Sequence, residues 1–68
     1  MIKLKKNADK RIRKGHLWVF SNEVDTPNVS EIVKGSIDEL CDSGGNFLGM
    51  VYLNPNSLIT ARIISREK

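Results

Sequence analysis

A lone cysteine, Cys41, leaves the chain without a second thiol, which excludes an internal disulfide and any site built from several thiolates. No apolar run approaches the ~20 residues that span a bilayer as a helix. The opening Met-Ile-Lys-Leu-Lys-Lys has no apolar stretch behind it, so it does not read as a secretory signal. These absences lead us to expect a cytoplasmic, metal-free chain with no membrane partner. Aromatic side chains are scarce: one Trp, one Tyr and two Phe. With 68 residues, the chain is too short for more than one domain. A chain this small buries only about 60% of its unfolded surface, which predicts modest stability. Its apolar fraction of 40% nevertheless exceeds that of a disordered chain.

Acidic residues are nearly missing from the two ends. Residues 1–14 hold seven Lys or Arg and one Asp, a charge of +6. Residues 15–61 carry −5, and residues 62–68 carry +2, for a net +3. A fold that joins the first and last segments would make one basic face, suited to nucleic acid or an anionic surface. The plainer reading of so small a net charge is solubility.

Ile2 and Leu4 alternate with Lys3 and Lys5, the period of a half-buried strand. Asn7 reads as a helix N-cap. Ala8 and Ile12 would then share one face of a short helix over residues 8–14, with Lys10, Arg13 and Lys14 opposite and Arg11 on the flank. Gly15 suits the left-handed position after the helix end. Residues 16–24 are apolar without alternation and read as a buried irregular strand or crossing segment. Residues 25–30, with Pro27, read as a loop. Two strand-like runs, 36–42 and 47–53, flank Ser43-Gly44-Gly45-Asn46 and predict a hairpin. Its second strand is apolar on both faces, as a central strand would be. Asn54-Pro55-Asn56-Ser57 is a turn, and 58–64 a last strand. Four or five short strands with one short helix predict a mainly β, α+β domain, a small barrel that leaves few unpaired edges.

The stretches "RIRKGHLWVFSNEV" and "GSIDELCDSGGNFLGMVYLNPNSLITARIIS" resemble the N-terminal PUA domain of the AdoMet-dependent large-subunit rRNA (cytosine-C5) methyltransferases. Gly15-His16, Trp18-Val19-Phe20-Ser21 and Asn54-Pro55-x-Ser57 carry the resemblance, which covers roughly residues 2–65. Ser36 and Asp38 depart from it, standing where that family often has Asp and an apolar strand residue. The resemblance implies a PUA-like pseudo-barrel of four to six strands over residues 1–68, with RNA, in particular ribosomal RNA, as partner. It also implies a linked catalytic domain that would hold S-adenosylmethionine. This chain shows no glycine-rich cofactor loop and no catalytic cysteine motif, so we expect no enzyme activity and no cofactor in it alone.

Phosphates are met by Lys and Arg, and unpaired bases stack on aromatic or guanidinium planes. The candidate RNA-binding residues are therefore Lys10, Arg11, Arg13, Lys14, Gly15, His16 and Arg62. Gly15 would allow close backbone approach, and His16 could donate to a phosphate or stack on a base. Trp18, Phe20, Phe47 and Tyr52 read first as core, with a stacking platform the alternative for Trp18. The rival function is a protein-interaction barrel whose acidic middle docks a catalytic domain or another protein without touching RNA.

Overall fold

The computed structural model describes residues 1–25 and 34–67. The loop expected at 25–30 therefore falls, apart from Asp25, outside the described residues. Five strands form one sheet: β1 (Ile2–Lys3), β2 (Trp18–Phe20), β3 (Ile37–Cys41), β4 (Phe47–Leu53) and β5 (Ile59–Ser65). Their spatial order is β1-β3-β4-β5-β2. β1 runs parallel to β3, and every other pairing is antiparallel. Between β1 and β2 lies one short stretch of α-helix, α1 (Asp9–Arg13), and a 3-10 turn follows β2 at Ser21–Glu23. No helix among the described residues is long and apolar enough to cross a membrane.

The sheet curves into a half-barrel. Register shifts at Val19/Phe20, Leu40/Cys41 and Met50/Val51 each insert an irregularity, and such bulges bend a strand and raise its twist. Leu4 bridges Val24, with Lys5 N–H donating to the Glu23 carbonyl at 2.8 Å and Asp25 N–H to that of Lys3 at 2.7 Å. The chain leaving β2 is thereby tied to the chain leaving β1, which covers backbone groups that β1 would otherwise leave open.

The concave side holds an aliphatic core: Ile2, Leu4, Ile12, Val19, Leu40, Leu48, Val51, Leu53, Ala61 and Ile63. Alternation explains most of it. Val51 and Leu53 on β4 face Ile63 and Ala61 on β5, while Tyr52 pairs with Arg62 on the outside. β4 is the middle strand, as its apolar character suggested.

Three expectations need correction. Trp18 is 51% exposed, Tyr52 45% and Phe47 36%, so these rings are not core. Each sits on the outer face or at the hairpin end, and the narrow inner face is already filled by Leu, Ile and Val. The stretch from His16 is likewise no buried strand: it supplies edge strand β2, of which only Val19 is buried. Asn7 does not cap α1 with its side chain. It adopts a left-handed φ of 70°, a conformation Asn tolerates, and turns the chain before Ala8.

Candidate nucleic-acid interface

α1 is too short to persist alone and is held by its neighbours. Ile12 is buried in the core and Ala8 packs against it. At its end, Gly15 N–H donates to the Ile12 carbonyl (3.1 Å) and His16 N–H to that of Arg11 (3.2 Å). Gly15 has φ of 109°, and this pair of bonds around a left-handed residue is the Schellman arrangement. Arg66, from just past β5, completes the cap: its guanidinium donates to the Ile12 carbonyl at 2.7 Å and to the His16 carbonyl at 3.1 Å. The first and last basic segments therefore do meet. Arg66 was not among the residues that the sequence singled out, since nothing local marks a contact 54 residues away.

The seven candidate residues are not all brought together. Arg11 reaches Glu23 at 2.5 Å and lies 5.1 Å from the centroid of the Phe20 ring. Glu23 also accepts from Phe20 N–H at 2.9 Å, so Arg11 ties α1 to the 3-10 turn and, through Glu23, to the end of β2. Arg13 turns the other way, to Asp9 at 2.6 Å and Asp42 at 2.5 Å. Solvent screens these half-exposed pairs, so they position the helix more than they stabilise it. Two of the four helix cations are thus occupied by the protein's own carboxylates. The side chains of Lys10 and Lys14 are exposed, and their ammonium groups have no hydrogen-bond or ion-pair partner among the described residues. Gly15 is exposed as well, with no atom within 4 Å of where a Cβ would stand, so a ligand could approach it closely.

Arg11, His16 and Arg62 do converge. They line one recess of about 510 Å³ together with Leu17, Trp18 and Phe20. A second recess, about 350 Å³, shares Trp18 and Arg62 with the first and is also bounded by Tyr52, Asn54 and Ser57. The sheet register sets this up: Trp18 on β2 and Tyr52 on β4 are both cross-strand partners of Arg62 on β5. Trp18, Arg62 and Tyr52 therefore form a row across the outer face. Their identities are plain in the sequence, but their adjacency depends on strand order.

The hairpin opposite is built on Asp42. Its carboxylate accepts from Asn46 N–H and Gly44 N–H, both at 2.9 Å, and from the Asn46 amide at 3.1 Å. These bonds, those from Asn46 foremost, and the nearby Arg13 charge hold the Asp42 carboxyl below the usual carboxylate range. Cys41 is buried, and burial, with Asp42 alongside, pushes its thiol up, away from the reactive thiolate.

A small curved sheet with a short capped helix and a cationic, aromatic outer row defines a compact β module that presents a surface rather than a deep cleft. Residues 2–66 match the model of the PUA-like domain family, and the chain belongs to that family. It is 31% identical over 67 residues to the ribosomal RNA large subunit methyltransferase I of Shewanella frigidimarina, a match that covers 98% of this chain and 17% of the relative. A protein described as a SAM-dependent methyltransferase from Streptococcus mutans shares the fold, with a TM-score of 0.73 at 24% identity over 100% of this chain and 18% of its own. A methyltransferase solved in complex with SAH superposes with a TM-score of 0.68 at 28% identity, over 100% of this chain and 17% of its own. The chain thus spans under a fifth of the length of these relatives.

Proposed function

We propose that this domain binds RNA, ribosomal RNA in particular, and serves in the cytoplasm as the substrate-recognition module of an AdoMet-dependent rRNA methyltransferase. On this reading the chain is accessory. Methyl transfer, its direction to cytosine C5 and the S-adenosylmethionine that supplies the methyl group belong to a catalytic domain of the same polypeptide. One observation carries the reading: Lys10, Lys14 and Arg62 are exposed cations with no partner among the described residues. A cation that the fold does not use is available to a phosphate. Membership of the PUA-like family and likeness to an rRNA methyltransferase give the polyanion its class. Arg11 and Arg13 then act mainly by fixing α1, His16 by forming the rim beside Arg62, and Gly15 by leaving room for close approach at the helix end.

The test is RNA affinity against salt, read by anisotropy of a labelled strand. Charge reversal of both Lys10 and Lys14 to Glu should weaken binding and flatten the log–log salt slope by about 0.7–1 for each phosphate no longer neutralised. Unchanged affinity and slope would sink this reading.

Exposed Ile37 and Ile64 favour a second reading, in which the outer sheet face also docks a protein domain. Replacing Ile64 with Ser, which adds no charge, would then loosen that contact, measured by calorimetry with the separated domain.

A further inference from the structure

We propose that the outer face of the sheet carries a site for an unpaired nucleobase, in which Trp18 and Tyr52 are the stacking surfaces, Arg62 meets the adjoining phosphate and Asn54 addresses the base edge. This deepens the RNA-binding reading and rests on it. Four observations converge here. First, Trp18 and Tyr52 are about half exposed on either side of Arg62, although such rings are usually worth burying in so small a fold. Neighbouring strands lie about 4.8 Å apart, so the two rings stand on strands roughly 10 Å apart with a guanidinium between them.

Second, the protein uses its other arginines. Arg11, Arg13 and Arg66 are held by Glu23, by Asp9 and Asp42, and by the carbonyls closing α1. Of the four, only the Arg62 side chain has no hydrogen-bond or ion-pair partner among the described residues, and it is exposed, so its five donors are available. Third, neither of the two recesses that share Trp18 and Arg62 has a carboxylate among the described residues that line it, which favours an anionic occupant. Fourth, the Asn54-Pro55-Asn56-Ser57 turn, which has no role in the core, brings Asn54 to the rim of the smaller recess. Its backbone is engaged, N–H with the Thr60 carbonyl and C=O with Ser57 N–H. Its side-chain amide has no partner among the described residues and offers both a donor and an acceptor.

Tyr52 is also pre-positioned. Its hydroxyl oxygen lies 3.3 Å from where a Cβ on Gly35 would stand, so the ring rests close over the turn at Gly35. An occupant with a flat apolar face, a hydrogen-bonding edge and a negative charge fits this row. An unpaired nucleotide has all three, whereas a duplex hides its base faces.

The experiment uses the folded 68-residue chain. Trp18 is its only tryptophan, so indole emission reports from the site itself, while anisotropy of a labelled oligonucleotide reports total binding. Unstructured octanucleotides should quench Trp18, and an RNA duplex of equal length should quench it far less. Trp18→Ala and Tyr52→Ala should each weaken single-strand binding by roughly five- to 150-fold, the range for losing one stacked base. Trp18→Phe should restore most of it, and duplex affinity should stay nearly constant. Circular dichroism of each variant confirms that the fold is retained. If anisotropy shows binding sensitive to Lys10 and Lys14 while both alanine variants bind as before, the stacking site is wrong and the RNA reading stands. Equal losses for single strand and duplex would replace it with a general cationic surface. If no RNA binds at all, both readings fall.

Discussion

A methyl group on Gly49 would lie 2.7 Å from the Ser65 carbonyl oxygen and 3.2 Å from Cδ1 of Ile63. Backbone cannot swing aside as a flexible side chain can, and Gly49 stands in the middle strand, next to the irregularity where β5 crosses β4. Gly49→Ala should force the two strands apart and lower stability by roughly 1–3 kcal/mol, read as a lower urea midpoint. An unshifted midpoint would mean that the two strands can part there without cost. Glycines governed by a backbone rule were legible from sequence: Gly15 takes the left-handed position, and Gly45 turns the hairpin with a φ of 87°. Residues that must choose a face were not. Bulk and apolarity made Trp18 and Tyr52 read as core, and only the filled concave side shows why they lie outside.

Among the elements, the β3–β4 hairpin was legible because alternation and a glycine-rich connection specify it locally. The parallel pairing of β1 with β3 was not, since Ile2 and Leu40 meet only through the finished topology. α1 shows the same division. Its apolar anchor Ile12 follows from spacing, whereas its lid, Arg66, comes from the far end of the chain. Arg66→Gln should weaken or break two charge-assisted bonds and lower stability by about 1–2 kcal/mol. The clearer signature is local: amide exchange at Gly15 and His16 should quicken relative to Val51 and Leu53. Equal exchange throughout would show that the cap does not depend on Arg66. The candidate site has the same character. Its residues could be picked out by type, but the sequence could not separate Arg62, which has no partner among the described residues, from Arg11 and Arg13, which the fold engages.

For the whole molecule, folding spends part of the charge asymmetry on itself. Carboxylates of the acidic middle, Glu23 and Asp42, draw in cations of the basic start, so the strongly positive first segment presents less than its formal charge. The same pairs set the response to acid. Asp42 is held low by Asn46, Gly44 and Arg13. At Asp38 burial works in the opposite sense, but the terminal ammonium at 2.8 Å and Glu39 N–H outweigh it. Both carboxyls therefore bind protons more weakly folded than unfolded. Their contribution is fully present above the unfolded value, about 3.9, and is lost as pH falls through the lower folded values. Melting temperature should hold from neutrality to about pH 4.5 and then drop. Asp42→Asn should start lower and show a shallower acid limb, whereas a parallel limb would mean that Asp42 plays no part in the acid response.

The strand order has a temporal consequence. β3, β4 and β5 follow one another through short connections and can zip up as neighbours, whereas Ile2–Leu40 and Trp18–Arg62 join points separated by more than half the chain. Closing such long loops is the slow part of assembling a sheet. β1 and β2 should consequently be the last strands to find their seats, and the Trp18–Arg62–Tyr52 row is complete only once β2 has docked on β5.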